Sequence, residues 1–161
     1  MALPLNGTLD QIYCQHRQQL FTCALAVTRC ADRAEDAIQE AFCRLFRLDA
    51  RPQNLKAYVF RAVRNAAIDQ VRNNPAPGEA IPEFIFDPRP GPSEAAAQQE
   101  FQRRVAAALL GLSNDECETI VQHLYGNLTF REIAEIREAP LGTVTSWYQR
   151  GLEKLRAKLE E

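Results

Sequence analysis

Six of the nine prolines in this 161-residue chain, Pro75, Pro77, Pro82, Pro88, Pro90 and Pro92, fall within residues 75–92. Proline lacks the backbone donor that helix and sheet ladders require, so no regular element runs through such a stretch. The chain has to divide there. A chain of this length makes one domain or two small ones, and a proline barrier near its middle favours two: residues 1–74, a linker over 75–98, and residues 99–161.

Both flanks read as helix. Residues 9–28 form a long mixed segment. Residues 32–48 carry the apolar stripe Ala34, Ala37, Ile38, Ala41, Phe42, Leu45 and Leu48, and a third helix is expected over 54–72, after Arg51 and Pro52. Beyond the linker, 93–110 reads as one helix. Ser113 with Glu116, and Thr129 with Glu132, are two capping boxes that open the next two helices. Gly126 is the expected stop between them, and a last helix begins near Thr143. No segment alternates with period two for a useful length. The expected fold is all-α: two small helical domains joined by a Pro-rich linker, the C-terminal one a helix-turn-helix domain.

Charge follows the same division. The formal net charge is -2. Residues 1–74 hold ten Lys/Arg against seven Asp/Glu, residues 75–100 one against five, and residues 101–161 eight against nine, so a near-neutral total hides a basic first half. No apolar run approaches the roughly 18 residues of a membrane span, and the start MALPLNGTLD has neither a basic opening nor an apolar core. Direct membrane insertion is not expected, and the location is expected to be cytoplasmic. The five cysteines are odd in number and contain no C-x-x-C pair, which excludes a disulfide framework and points to reduced, small apolar side chains. Cys14 with His16, or Cys23 with Cys30, could supply ligand pairs, but no four-ligand set has regular spacing, so neither metal nor cofactor is expected. With only His16 and His123, no recognisable nucleophile–base pair and no phosphate-binding glycine loop, the sequence offers no catalytic residues and does not read as an enzyme.

Residues 129–136, the turn EAPLG and the segment from Thr143 onward make two short amphipathic helices across a Pro/Gly turn, the punctuation of a helix-turn-helix. On the second helix Val144, Tyr148, Leu152, Leu155 and Leu159 share one face. Thr143, Thr145, Ser146, Gln149 and Arg150 are left toward solvent near its start, where hydroxyls, an amide and the helix N-terminus can meet phosphates and base edges. Spacing alone leaves open a plain three-helix bundle with a solvated polar face.

The stretch LSNDECETIVQHLYGNLTFREIAEIREAPLGTVTSWYQRGLEKLR resembles the fourth conserved region of bacterial extracytoplasmic-function sigma factors. DAIQEAFCRLFR followed by NLKAYVFRAVRNAAIDQVR resembles their second region. The two blocks stand in the family's order with a Pro-rich linker between them. The resemblance implies a promoter-recognition subunit of RNA polymerase, with core polymerase and promoter DNA as partners and an anti-sigma factor or other regulator as a third. It implies that Asp36, Gln39, Glu40 and Arg47, on the polar face of the second helix, dock on core polymerase. Arg61, Arg64, Asn65, Ile68, Asp69 and Arg72 gather on one arc of the third helix, an exposed apolar residue among cations and amides that suits unpaired bases. The resemblance implies that this arc reads the minus-ten element and that the loop 49–53 helps to form the pocket of a flipped base. Arg131 joins Thr143, Thr145, Ser146, Gln149 and Arg150 in the set implied for the minus-thirty-five element.

The chain departs from the family in basicity. Arg72 is followed by Asn73 and Asn74 where relatives continue with arginines, and the reader helix has Thr145, Trp147 and Gln149 where basic residues are common. Each phosphate left unneutralised removes about 0.9 from the salt slope of binding, so the isolated chain is expected to bind duplex DNA weakly. Trp147 is expected to pack on the first helix of the motif or the preceding turn. Two other functions stay open from sequence: an autonomous helix-turn-helix regulator, and a sigma-like interaction protein without promoter activity. The apolar cluster Ile81, Phe84, Ile85 and Phe86 interrupts the polar linker; two roles stay open for it, packing between the two domains so that the free chain is held compact, which is the expectation favoured, and docking in polymerase, as the resemblance implies for the family's linker.

Overall fold

The structure, a computed structural model, describes residues 5–49, 52–73 and 95–160, and the regular elements among them are all helical. The order is α1 (Leu5–Thr28), α2 (Ala31–Leu45), α3 (Leu55–Asn73), α4 (Ala95–Leu110), α5 (Asn114–Ile120), a π-helical turn (Val121–Tyr125), α6 (Phe130–Arg137) and α7 (Leu141–Leu159). The proline stretch 75–92, with the cluster at 81–86, lies outside the described residues. No described helix is long and apolar enough to cross a membrane.

Helices α1, α2 and α3 pack on one another as a three-helix unit. The alanines of α2, Ala34, Ala37 and Ala41, let its backbone approach its neighbours, while Ile38, Phe42 and Leu45 fill the space between. Phe42 meets the Tyr13 ring edge-on at 5.2 Å. Helix α3 buries Ala57, Val59, Phe60, Val63, Ala66 and Ala67. Its first turn is capped by Asn54, whose Oδ1 accepts from the Ala57 amide at 3.1 Å.

The second helix is shorter than the stripe predicts. After Leu45 the amides of Arg47 and Leu48 bond to the carbonyls of Arg44 and Leu45, both at 3.1 Å, and this tighter i to i+3 winding rotates the chain off the helical face. Leu48 is therefore 37% exposed rather than part of the core. Arg47 sits in a turn beyond α2 and not along it.

In the C-terminal half both capping boxes form. Ser113 Oγ accepts from the Glu116 amide at 3.2 Å while Glu116 Oε1 accepts from the Ser113 amide at 3.1 Å, and Thr129 with Glu132 does the same at 3.1 Å each way. Between them α5 widens into the π turn, closed by the Gly126 amide donating to Val121 O at 2.9 Å. Gly126 caps the end of this helical run, the stop expected of it. Its φ is -84°, and the left-handed residue is Asn127, at φ 55°. Glycine is needed at 126 for room, because a Cβ would lie 2.6 Å from Gln122 O and 2.9 Å from the Cys23 Sγ of α1. Likewise the turn into α7 reverses at Glu138, at φ 53°, while Gly142 has open space around it and lies within α7, which starts at Leu141.

The contact between Gly126 and Cys23 belongs to a larger one. Helix α1 packs on the π turn and α5, and α3 packs on α6. The apolar core is continuous from Leu9 in the first half to Leu155 in the last helix. The two helical units are thus joined by side-chain packing as well as by the chain.

Candidate nucleic-acid interface

Helix α7 is held as a rigid rod before any of its polar residues are considered. Val144 and Leu155 are buried, and Gly151 lets the helix lie against Ile120, whose Cδ1 would be 2.5 Å from a Cβ there. His123 stacks on Phe130 at 4.1 Å, and Tyr148 closes on both rings edge-on at 4.9 and 5.0 Å. The helix is also pinned by polar contacts, Lys154 Nζ to Glu116 Oε1 at 2.8 Å and Arg104 to the Leu159 carbonyl at 2.7 Å. Burial works to raise the Glu116 carboxyl, but hydrogen bonds from Lys154 and Ser113 prevail and hold it below the usual carboxylate range. Trp147 lies under the Arg137 guanidinium at 4.6 Å, against the last turn of α6, as expected.

On that scaffold Ser146, Gln149 and Arg150 are exposed, and Thr143 and Thr145 are half-buried. The Thr145 hydroxyl donates to Gly142 O at 3.0 Å, so toward DNA it is left as an acceptor. Arg150 Nε reaches Ser146 O at 3.4 Å, a long bond that a phosphate can replace. Arg131 is exposed at the start of α6. Five of these six residues thus line the first turns of α7, and the sixth stands on the neighbouring helix.

The acidic face of α2 is also open. Asp36 and Gln39 are exposed, opposite the buried Ala37, Ile38 and Ala41. Glu40 is half-buried and pairs with Arg44 one turn on, at 2.5 Å. Between α1 and this face runs an open groove of about 780 Å³ lined by Tyr13, Arg17, Phe21, Glu35, Ile38 and Gln39.

The arc on α3 is divided. Asn65 and Arg72 are exposed, and Ile68 and Asp69 are half-buried, so Ile68 is less open than the sequence suggests. Arg61 and Arg64 do not face solvent freely. Arg61 pairs with Glu138 and Arg64 with Glu118, both in the C-terminal half. Lys56 adds a third pair, to Glu132 at 3.8 Å. Glu118 is only 6% exposed and anchors a cluster in which Arg137 also pairs with it at 3.5 Å and with Asp115 at 2.5 Å. Burial draws the Arg137 guanidinium down, while Glu118 favours its charge. Next to Arg61 a cleft of about 260 Å³ is lined by Pro52, Gln53, Asn54, Ala57 and Tyr58, with Glu135 of α6 as its far wall. Residues 50 and 51 of the implied base-binding loop lie outside the described residues.

Sequence reasoning missed this acidic partner surface. Glu118, Glu132, Glu135 and Glu138 read as ordinary solvated positions on short helices, and the only available signal was the opposite charge balance of the two halves. No group of three metal-ligating side chains occurs among the described residues. Cys23 and Cys117 are buried, which pushes the Cys117 thiol up to about 11.

Comparison with known proteins follows the same two blocks. Sigma-70 region 2 matches residues 12–75, and Sigma-70, region 4 matches residues 102–155, together most of the chain. The ECF RNA polymerase sigma factor RpoE of Cereibacter sphaeroides is 27% identical over 133 residues, covering 78% of this chain and 72% of that protein. A probable RNA polymerase sigma factor, RfaY of Xanthomonas campestris, is 30% identical over 143 residues, 83% of this chain but 35% of that longer protein. The fold is similar to that of the sigma factor RpoE solved with the anti-sigma factor NepR from Bartonella quintana. That match has a TM-score of 0.74 at 22% identity and covers 95% of this chain and 97% of that one.

Proposed function

Because the chain belongs to the sigma-70 family, in its extracytoplasmic-function branch, it directs RNA polymerase to promoters and is not an enzyme, and we propose how its surfaces divide that work. Residues 1–74 form the unit that docks on core polymerase and meets the minus-ten element, 75–98 the linker, and 99–161 the unit that reads the minus-thirty-five element. The open face of α2, with Asp36, Gln39 and Glu40 followed by Arg47 in the next turn, is the polymerase contact: carboxylates and an amide on a rigid helix suit a basic partner.

On α3, Arg61, Arg64 and Arg72 meet phosphates, while Asn65, Ile68 and Asp69 meet the edges and faces of unpaired bases. On α7, Gln149, Ser146 and Thr143 face base edges in the major groove, and Arg150, Thr145 and Arg131 fix the register on the backbone.

The observation that carries this reading is the exposure of Ser146, Gln149 and Arg150 on the opening turns of a helix whose other face is locked by Val144, Gly151 and Leu155. The protein acts in the cytoplasm, where polymerase is, and is held in check by an anti-sigma factor or similar regulator, as the Bartonella relative's complex suggests.

Run-off transcription with purified core polymerase tests the assignment. Promoter-dependent initiation is expected only when the chain is added. Tight sequence-specific duplex binding by the free chain would mark an autonomous regulator, and polymerase binding without initiation would mark an interaction protein.

A further inference from the structure

We propose that Arg137 and Trp147 are the positioning pair of the reading helix: the buried guanidinium, fixed by oxygens of α5, clamps the indole of α7 and so sets the roll of that helix against the duplex. The inference rests on the assignment of α7 to the upstream element.

Arg137 ends α6, one residue before the chain reverses at Glu138. An arginine at the close of a surface helix ordinarily reaches for solvent or for the last carbonyls. This one is turned inward, its side chain only 3% exposed. One terminal nitrogen donates to the Asp115 carboxylate at 2.5 Å, with Glu118 at 3.5 Å behind it, and the other donates to Thr119 Oγ1 at 3.3 Å. The Thr119 hydroxyl gives its own proton to Asp115 O, at 2.7 Å, which leaves its oxygen to accept. Bonds made in the plane of a guanidinium fix that plane. Only its face is left for α7, and Trp147 lies there, with its ring centroid 4.6 Å from Cζ.

The place of Trp147 on α7 decides what the clamp controls. Counted at about 100° per residue from the buried Val144, Trp147 lies about 60° to one side and Tyr148 about 40° to the other. Tyr148 is held against His123 and Phe130 on its flank, and Trp147 is held against Arg137 on the opposite one. A helix gripped only along its buried line can roll about its axis, whereas one gripped on both flanks cannot. Trp147 also stands one turn from Thr143 and from Arg150, at i−4 and i+3, so a roll at the indole carries the polar arc with it. Base edges are read only within about half an ångström of the right placement, and a small roll therefore displaces every reader at once.

Arg137 itself is not a phosphate ligand. Its donors are committed to α5, and its partners Asp115, Glu118, Thr119 and Trp147 all stand on α5 or α7, so the clamp does not depend on how the two helical units sit.

Holoenzyme reconstituted from core polymerase and the full chain, transcribing a promoter library randomised over both elements, separates positioning from reading. Sequenced transcripts give a preference at each base pair, and the minus-ten preferences, which should stay at wild type, are the internal control. Gln149→Ala is expected to lose preference at one or two upstream base pairs, about tenfold there. Trp147→Ala and Arg137→Gln should instead flatten all upstream positions together, about threefold each. Their double variant should be no flatter than either alone, since both remove one contact. Trp147→Phe keeps a ring face and should hold most of the profile, while Arg137→Lys keeps the charge without the plane and should not. Asp115→Asn loosens the clamp from a carboxylate open to solvent, and should give the same uniform flattening in milder form without touching α7.

A smaller total transcript with an unchanged upstream profile in these variants marks a structural role only and overturns the proposal. So does a salt slope of promoter binding lowered by about 0.9 in Arg137→Gln, the mark of a lost phosphate contact. Failure of the underlying assignment looks different: a profile that Gln149→Ala and Arg150→Ala both leave untouched ends the reading role of α7, and the clamp with it.

Discussion

Helices α3 and α7 both present polar arcs suited to nucleic acid, yet the free chain treats them differently. Two cations on the arc of α3 are paired with carboxylates of the other half, while Ser146, Gln149 and Arg150 of α7 are exposed. The difference follows from charge. The arc of α3 carries three arginines, two of which pair with carboxylates of the other half, whereas the polar arc on the opening turns of α7 carries one, Arg150. A basic face strong enough to hold a melted strand is also the face most easily held shut.

The largest expected effect comes from forcing the halves apart. Leucine at Gly126 would drive atoms into Gln122 O and Cys23 Sγ, at a cost of about 3 kcal/mol. The radius of gyration of the free chain should rise in small-angle scattering, making α3 as accessible as α7. An unchanged radius would show that the local turn absorbs the strain.

Next in size is the loss of base contacts on the open side. Gln149→Ala and Arg150→Ala should each change discrimination between native and mutated upstream elements by about 2 kcal/mol, with scattering unaltered. If the ratio of transcripts is preserved, α7 is exposed without being a reader.

A smaller effect is expected on α2. Asp36→Lys with Glu40→Lys should weaken core polymerase binding on the order of tenfold, mostly through the association rate. Equal affinity in a titration would reduce the presented faces to α7 alone.

The smallest effect is a pH dependence at the junction itself. His16 sits at the kink of α1, near Phe60, and burial, then Lys56, hold its pKa below the usual histidine value, with Glu132 opposing. The unfolded chain, near pKa 6.5, takes up the proton first. The stability contributed by neutral His16 is therefore present above about pH 6.5 and is lost as pH falls through the lowered folded value. His16→Asn should flatten the denaturant midpoint between pH 7 and 5, and an unaltered slope would remove His16 from the account.

Where an element depended on neighbours in sequence, it was legible. Ser113–Glu116 and Thr129–Glu132 bond as their spacing requires, and the buried side of α2 is the stripe from Ala34 to Leu45, because period and capping act within a turn or two. Legibility failed where no local pattern marked the position. The left-handed positions at Asn127 and Glu138 carry no glycine to announce them, and packing against Cys23, a residue distant in sequence, decides that 126 must be glycine.

By itself, then, the sequence determined an all-α chain in two helical units, their capping and the positions of three polar arcs, all consequences of local periodicity. Only the tertiary structure decided which arcs are free. Arg61 to Glu138 and Arg64 to Glu118 are pairs between residues more than fifty positions apart. Such a pairing depends on how two apolar faces dock, through Cys23 against Gly126 and α3 against α6, and no pattern along either helix encodes the partner of an exposed charge.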